Sequence, residues 1–165
     1  MRASLERIYR RHRQGLYTLS LSITRCPSRA EDAVQEAFAR LWQSGARPSG
    51  DPVAYVFAAV RNAAVDQLRH RGPEEFGPDP PVSIFDGRAA DPASAAADAE
   101  RAEAARRAME ALPVDQREVV VMKIYGGLTF EQIAEALGRP VSTAASRYRR
   151  ALQRLREGMT EDHER

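Results

Sequence analysis

Apolar residues in positions 31–43 recur at the spacing of an amphipathic helix. They follow the i, i+3, i+4, i+7, i+8 pattern that places side chains on one face of a helix: Val34, Ala37, Phe38, Leu41 and Trp42. The opposite face carries Asp32, Gln35, Glu36, Ala39 and Arg40. Taken alone, this pattern predicts a core helix with a solvated, largely acidic outer face.

A second amphipathic helix is predicted over residues 53–71, after a loop rich in Gly and Pro at 44–52. Its apolar positions can line a core: Val53, Val56, Phe57, Val60, Ala64 and Leu68. Its polar side becomes basic towards the end: Arg61, Asn62, Arg69, His70 and Arg71. Aromatic residues among basic ones suit stacking on unpaired bases, although plain packing explains Tyr55 and Phe57 equally well when each is taken singly.

Residues 128–156 predict two further helices separated by a tight turn. Thr129 and Gln132 fit the two ends of a capping box at the start of the first helix. Gly138 fits the left-handed cap at its end, and Pro140 prevents the helix from continuing. This is the plan of a helix-turn-helix.

The second helix of this pair has an apolar face and a basic face. We expect Ser142 or Thr143 to cap its start. One side carries Ala144, Tyr148, Ala151, Leu152 and Leu155, and the other carries Ser142, Ser146, Arg149, Arg150 and Gln153. Serine and arginine reach phosphates and the acceptors of guanine, so the polar face suits a recognition helix in the major groove. An ordinary basic amphipathic helix is the plainer interpretation.

Helical pattern dominates the rest of the chain, with one interruption. The apolar run 119–124 lies between helix signals and is best interpreted as a buried helix. Residues 73–98 contain five of the ten prolines and read as an extended acidic linker. Helical pattern resumes near Asp98. The predicted fold is therefore all-α, with two small helical domains and four segments: 1–72, 73–98, 99–158 and 159–165.

Charge is unevenly distributed, although the formal net charge is only +2. Residues 1–72 have a net charge of +6, residues 73–100 of −6, and residues 101–165 of +2. Basic ends suit a polyanionic partner, whereas the acidic middle requires a different environment.

Few residues of the chain suit a disulfide, a metal site or a catalytic site. Cys26 is the single cysteine, so no internal disulfide forms, which fits a reducing cytoplasm. His12, His70 and His163 have no metal-ligand spacing. The N-terminal residues contain no apolar core of a signal peptide, and no apolar run approaches roughly 18 residues, so we expect no membrane insertion. No nucleophile–base pair or phosphate-binding loop is present, so we expect no catalysis and no cofactor.

In order and spacing, the segments EDAVQEAFARLW, AYVFAAVRNAAVDQLRHR, the acidic linker and LPVDQREVVVMKIYGGLTFEQIAEALGRPVSTAASRYRRALQRLR resemble one family. It is the extracytoplasmic-function (ECF) group of bacterial sigma-70 factors, which direct RNA polymerase to promoters. The resemblance covers nearly the whole chain. It implies a promoter-specific initiation factor with these partners: core RNA polymerase through its β′ clamp helices and β flap, promoter DNA, and an anti-sigma factor.

For the first domain, the resemblance implies two surfaces. The face that docks on the β′ clamp helices corresponds to Asp32, Gln35, Glu36 and Arg40. The region that melts the −10 element and holds an unpaired base corresponds to the 44–52 loop with Tyr55, Arg61 and Asn62, while Arg69 and Arg71 meet duplex backbone upstream. The family often has tryptophan in the place of Tyr55, and tyrosine also stacks.

For the second domain, the resemblance implies recognition of the −35 element. Leu112, Pro113 and Arg117 match the opening motif of this domain. The recognition helix corresponds to Ser142, Thr143, Ser146, Arg147, Arg149 and Arg150. Ala144 and Ala145 stand where relatives often have valine and a basic residue, so the preferred −35 sequence is expected to differ. The acidic linker is expected to follow the RNA-exit path of polymerase, where it imitates the RNA backbone.

Three other classes remain open at this point. A stand-alone helix-turn-helix regulator would usually dimerise on palindromic sites and would not need the polar face of 31–43. A sigma mimic that only titrates an anti-sigma factor would be expected to lose the basic recognition helix. An enzyme is disfavoured by the missing catalytic groups.

Overall fold

The computed structural model describes residues 2–45, 48–70 and 95–163. Within these ranges the chain forms seven α-helices and no strand, which confirms the all-α prediction: α1 (Arg2–Thr24), α2 (Pro27–Ser44), α3 (Pro52–Arg69), α4 (Ala95–Ala111), α5 (Val114–Ile124), α6 (Phe130–Leu137) and α7 (Val141–His163).

The helices form two groups that pack against each other. Helices α1–α3, the N-terminal group, contact one another, and in the C-terminal group α4, α5 and α6 each contact α7. Contacts of α1 with α5 and of α3 with α6 join the groups. One buried cluster runs through both groups and includes Leu16, Phe57, Val120 and Ile133. The two groups therefore share a continuous core in this conformation.

Local signals set the helix ends that position the site. The Asp51 carboxylate accepts hydrogen bonds from the N–H groups of Val53 (2.8 Å) and Ala54 (3.0 Å), which caps α3. Thr129 and Gln132 form the predicted capping box of α6. Gly138 ends that helix at φ +61°, a conformation that glycine adopts without strain.

The predicted start of α7 is wrong by about one turn. The helix begins at Val141, so Ser142 and Thr143 lie in its first turn instead of capping it. The N–H groups of Thr143 and Ala144 already donate to the Pro140 carbonyl, at 3.0 and 3.2 Å. Proline tolerates this position because its backbone carbonyl is still available as an acceptor.

Two residues that the pattern assigns to the core are exposed. Trp42 is 42% exposed and Leu68 is 37% exposed. Each lies in the last turn of its helix, since α2 ends at Ser44 and α3 ends at Arg69. The periodicity is continuous there, but the helix extends past the neighbours that cover the rest of its apolar face.

Most of the predicted linker, 73–98, lies outside the described residues. Its last four positions, 95–98, belong to α4, which begins before the expected Asp98. Alanine has the highest helix propensity, and Ala95, Ala96 and Ala97 extend the helix in this direction. The boundaries of the two domains remain predictions.

Candidate nucleic-acid and polymerase interface

The outer face of α7 presents arginines to solvent. Arg149 and Arg150 are exposed, whereas Ala144 and Ala151 are fully buried against the rest of the C-terminal group. Tyr148 packs edge-to-face on Phe130 of α6, with ring centroids 5.4 Å apart. The predicted division of α7 into two faces is therefore confirmed, and the packing orients both guanidinium groups outwards.

The other candidate residues of α7 are less exposed. Ser142 is exposed, while Thr143 and Ser146 are half-buried. The Ser146 hydroxyl donates to the Thr143 carbonyl at 3.1 Å. Arg147 lies at the flank, with a side chain 21% exposed and its Nε 3.5 Å from the Asp115 carboxylate. Only part of this helix face is thus directed fully at solvent.

The candidate polymerase face lies on α2. Asp32 and Gln35 are exposed. Glu36 forms an ion pair with Arg40 and accepts a hydrogen bond of 3.3 Å from the Gln67 amide of α3. The structure brings all four predicted residues to one surface, but Glu36 and Arg40 also contribute to the contact between α2 and α3.

Tyr55 lies beside an apolar pocket of about 250 Å³ in the N-terminal group. The side chain is 38% exposed. All three helices of the group contribute to the pocket, together with Pro48 from the connection before α3: Ser4, Leu5, Ile8, Leu41, Pro48, Pro52, Tyr55 and Val56. Asn62 and Arg69 are exposed further along α3, and Arg71 lies outside the described residues. This apolar pocket, with an aromatic ring beside it, suits the flat ring of an unpaired base.

Arg61 is less exposed than Arg69, the other basic residue of α3. Its Nε donates to Glu118 of α5 at 3.1 Å, and the Glu118 side chain is only 3% exposed. Burial raises the pKa of the Glu118 carboxyl above its ordinary value of 4.5, although Arg61 and Arg147 act in the opposite direction. Glu118 thus lies between arginines of α3 and α7.

A second polar contact joins the groups at the start of α3. The Glu135 carboxylate accepts from the Asp51 N–H at 2.8 Å, and the Gln132 amide donates to the Asp51 carboxylate at 3.0 Å. Partial burial acts to raise the pKa of Asp51, but the hydrogen bonds from Ala54, Gln132 and Val53 outweigh it and lower the pKa. Asp51 therefore caps α3 and binds α6 at the same time.

At Gly15 the two groups approach each other backbone to backbone. A Cβ on Gly15 would lie 2.7 Å from both the Cα of Gly126 and the Tyr125 carbonyl oxygen. His12 Nδ1 lies 3.0 Å from the Gly126 carbonyl and donates to it when protonated. Only a residue without a side chain fits at position 15 in this packing.

Arg117, which belongs to the predicted opening motif, is buried and holds neighbouring helices together. Its buried guanidinium donates to the carbonyls of Leu112 (2.7 Å) and Met109 (3.1 Å), and to Ser22 of α1 at 3.2 Å. Burial lowers its pKa, and the nearby Arg25 acts in the same direction. Arg117 therefore fixes the end of α4 against α5 and against the N-terminal group.

Two sets of residues at these surfaces were not among the predicted site residues. Glu118 and Glu135 contact partners far away in the sequence, and no local signal reveals such pairs. The arginines of α1, among them Arg7 and Arg11, do carry a signal, because they repeat at helical spacing on an exposed face. Across the described helices, none is long and apolar enough to cross a membrane.

Comparisons with known proteins cover most of the chain. The family models described as Sigma-70 region 2 and Sigma-70, region 4 match residues 8–74 and 102–155. Over 139 residues the chain is 36% identical to the ECF RNA polymerase sigma factor RpoE of Cereibacter sphaeroides, covering 81% of this chain and 74% of that protein. It is also 36% identical over 150 residues to the ECF RNA polymerase sigma factor SigJ of Mycobacterium tuberculosis. This match covers 85% of this chain but only 47% of SigJ, so the chain spans less than half of that relative.

Solved structures share the fold. The sigma factor RpoE of Bartonella quintana, in complex with the anti-sigma factor NepR, gives a TM-score of 0.70 at 23% identity and covers 96% of each chain. CnrH in complex with the cytosolic domain of CnrY gives a TM-score of 0.67 at 20% identity, over 98% of this chain and 91% of CnrH.

Proposed function

The chain belongs to the ECF group of sigma-70 RNA polymerase sigma factors, which act in transcription initiation, and we propose that it binds core polymerase, recognises −35 and −10 elements and melts promoter DNA. The observation that carries this proposal is the pair of exposed arginines, Arg149 and Arg150, on a helix whose other face is buried. Such a helix can enter the major groove without disturbing its own support.

The N-terminal group supplies the proposed −10 surface. Tyr55 offers a partly exposed ring at the mouth of the apolar pocket, where an unpaired base can stack. Asn62 and Arg69 lie along the same helix and can contact backbone. Stacking and phosphate contacts then offset the unpairing of AT-rich steps, at about 1.4 kcal/mol per step.

The proposed polymerase surface is the α2 face of Asp32, Gln35, Glu36 and Arg40. Because core polymerase and promoter DNA are cytoplasmic, this role requires the chain to act in the cytoplasm. An anti-sigma factor is a further proposed partner, since the sigma factor RpoE that shares the fold is bound to one.

We infer that the packed conformation is not the one that binds promoters. Arg61, a proposed −10 contact, is occupied by Glu118 of the C-terminal group. A phosphate and the Glu118 carboxylate cannot both occupy the same side of one guanidinium. The N-terminal and C-terminal groups therefore separate before the Nε side of Arg61 engages DNA.

Run-off transcription with core polymerase on a genomic fragment library tests the function. We expect transcripts that depend on the added chain and share −35 and −10 elements at a fixed spacing. Core polymerase alone is the control. If no chain-dependent transcript forms, while the chain without polymerase retards particular fragments, the protein is a helix-turn-helix regulator instead.

A further inference from the structure

Two neighbouring depressions on the N-terminal group have a common wall. The first is the apolar pocket beside Tyr55. The second, which we call the basic groove, has a volume of about 370 Å³ and contains Arg7, Arg11 and His12 of α1. Ser4, Ile8 and Pro52 line both depressions. A ligand that fills the apolar pocket therefore has the basic groove immediately beside it.

The basic groove has charge that the fold does not neutralise. Helix α1 contains five arginines and one acidic residue, Glu6. Glu6 pairs with Arg10 at 2.6 Å. Among the described residues, no carboxylate lies within 4.0 Å of Arg7 or Arg11. Arg7 donates a long hydrogen bond of 3.5 Å to the Ser4 hydroxyl. Both residues are exposed.

The two depressions together fit one kind of ligand. An apolar pocket with an aromatic ring suits a base, and arginines beside it suit the attached phosphates. Residues three and four apart on a helix lie about 5–6 Å from each other, which applies to Ile8 and Arg11 and to Arg7 and Arg11. All three line the basic groove, so one nucleotide can reach the apolar pocket and both arginines. An acidic peptide would suit the arginines alone and leave the apolar pocket empty.

We propose that Arg7 and Arg11 bind the backbone phosphates of the single DNA strand whose unpaired base occupies the apolar pocket. This inference rests on the proposed function, in which the pocket holds such a base. Gly127 and Gln132 of the C-terminal group form the opposite wall of the basic groove. Separation of the two groups therefore opens the groove along its length and gives the strand access.

The test uses the full chain assembled with core polymerase and a short, fluorescein-labelled AT-rich DNA single strand. Binding is measured by fluorescence anisotropy at several salt concentrations. The variant Arg7→Gln/Arg11→Gln is compared with the matched variant Arg10→Gln/Arg13→Gln, which removes equal charge from the same helix. Two lost phosphate contacts should lower the salt slope by about 1.4, at about 0.7 per contact on a single strand. The matched variant should keep the wild-type slope.

A second arm replaces one phosphate with a neutral methylphosphonate at successive positions of the strand. At one or two positions this change should weaken wild-type binding and leave Arg7→Gln/Arg11→Gln binding unaffected. An equal loss of salt slope in both double variants would show only diffuse attraction and would overturn the assignment. An unchanged slope in both variants would overturn it as well.

Failure of this inference is distinguishable from failure of the proposed function. If Tyr55→Ala weakens strand binding but Arg7→Gln/Arg11→Gln does not, the pocket binds a base and the arginines are not its phosphate contacts. If neither variant changes binding and no run-off transcript forms, the proposed function has failed. Unchanged circular dichroism checks that all variants fold.

Discussion

Glu118 shows how one residue links the two groups of helices. Its carboxylate is almost fully buried beside Arg61 of α3 and close to Arg147 of α7, with Asp115 as the nearby like charge. Removing one partner of a buried pair leaves an uncompensated charge, which is strongly destabilising. In the packed conformation the ionised Glu118 carboxylate therefore depends on Arg61 as its partner.

The raised pKa of Glu118 predicts a specific pH dependence. Between pH 4.5 and the raised pKa, the Glu118 carboxyl keeps its proton in the folded chain and loses it in the unfolded chain. The free energy of unfolding should therefore fall as pH rises through this interval. Below 4.5 both states are protonated and the effect disappears. Urea unfolding at a series of pH values should show this fall in the wild type and not in Glu118→Gln.

Asp51 does not confuse this measurement. Its pKa is lowered, so its contribution to stability is lost only as pH falls below its ordinary value of 3.8. The two pH windows are separate. Parallel stability curves for the wild type and Glu118→Gln above pH 4.5 would contradict the assigned shift.

The arginines of α7 should differ in what they read. Arg149 and Arg150 are exposed, and a bidentate arginine–guanine pair contributes about 1–3 kcal/mol of base discrimination. Arg149→Ala or Arg150→Ala should lose preference at one −35 position. Arg147 lies at the flank beside Asp115, so Arg147→Ala should weaken all promoters and reduce the salt slope by about 0.9.

Transcription from a randomised −35 library at two salt concentrations measures both effects. If Arg149→Ala and Arg150→Ala scale every promoter equally, neither residue reads bases. Specificity would then depend on Ser142, Thr143 and Ser146, or on DNA shape.

At the scale of elements, α2 contains residues that pack and residues that remain available to a partner. Asp32 and Gln35 are exposed, whereas Glu36 is held by Arg40 and Gln67. A substitution at Glu36 would therefore change the contact between α2 and α3 as well as any docking. Asp32 and Gln35 give the cleaner test of the polymerase surface.

The variant Asp32→Arg/Gln35→Ala should bind core polymerase about tenfold more weakly or worse, because like charges at an interface cost several kcal/mol. Glu100→Arg, an equal charge reversal on an exposed position of α4, should bind as the wild type does. Affinity capture on immobilised core polymerase provides the comparison. Equal retention of both variants, with unchanged circular dichroism, would mean that this face is not the docking site.

The sequence predicts elements whose signals are local. The capping box at Thr129 and the left-handed Gly138 are confirmed because each depends on neighbours within one turn. Trp42 was misassigned since periodicity does not reveal where a helix outruns its neighbours. The Arg61–Glu118 contact joins residues 57 positions apart, and pattern reasoning contains no information about such pairs.

At the scale of the whole molecule, Gly15 controls how closely the groups pack. Gly15→Ala adds a Cβ that would lie 2.7 Å from the backbone of the C-terminal group. Because the clashing atoms are backbone atoms, no side-chain rotation can relieve this clash. We expect the two groups to separate and the radius of gyration in small-angle X-ray scattering to increase. Helicity should be retained, because alanine favours a helix over glycine by about 1 kcal/mol.

Gly158→Ala is the matched control. It makes the same exchange within a helix, but the new Cβ meets only Ala108, at 3.3 Å from its Cβ and 3.9 Å from its Cα. Its scattering profile should match the wild type. A Gly15→Ala profile identical to that of Gly158→Ala would show that the groups tolerate a methyl group at this contact.

The Arg61–Glu118 contact has a consequence for cells that contain more copies of this chain than of polymerase. Copies of the chain that outnumber polymerase keep the Nε of Arg61 paired with Glu118 in the packed conformation, so we expect them not to engage −10 DNA through this arginine. Polymerase, and not the abundance of the factor, would decide how many promoters are engaged.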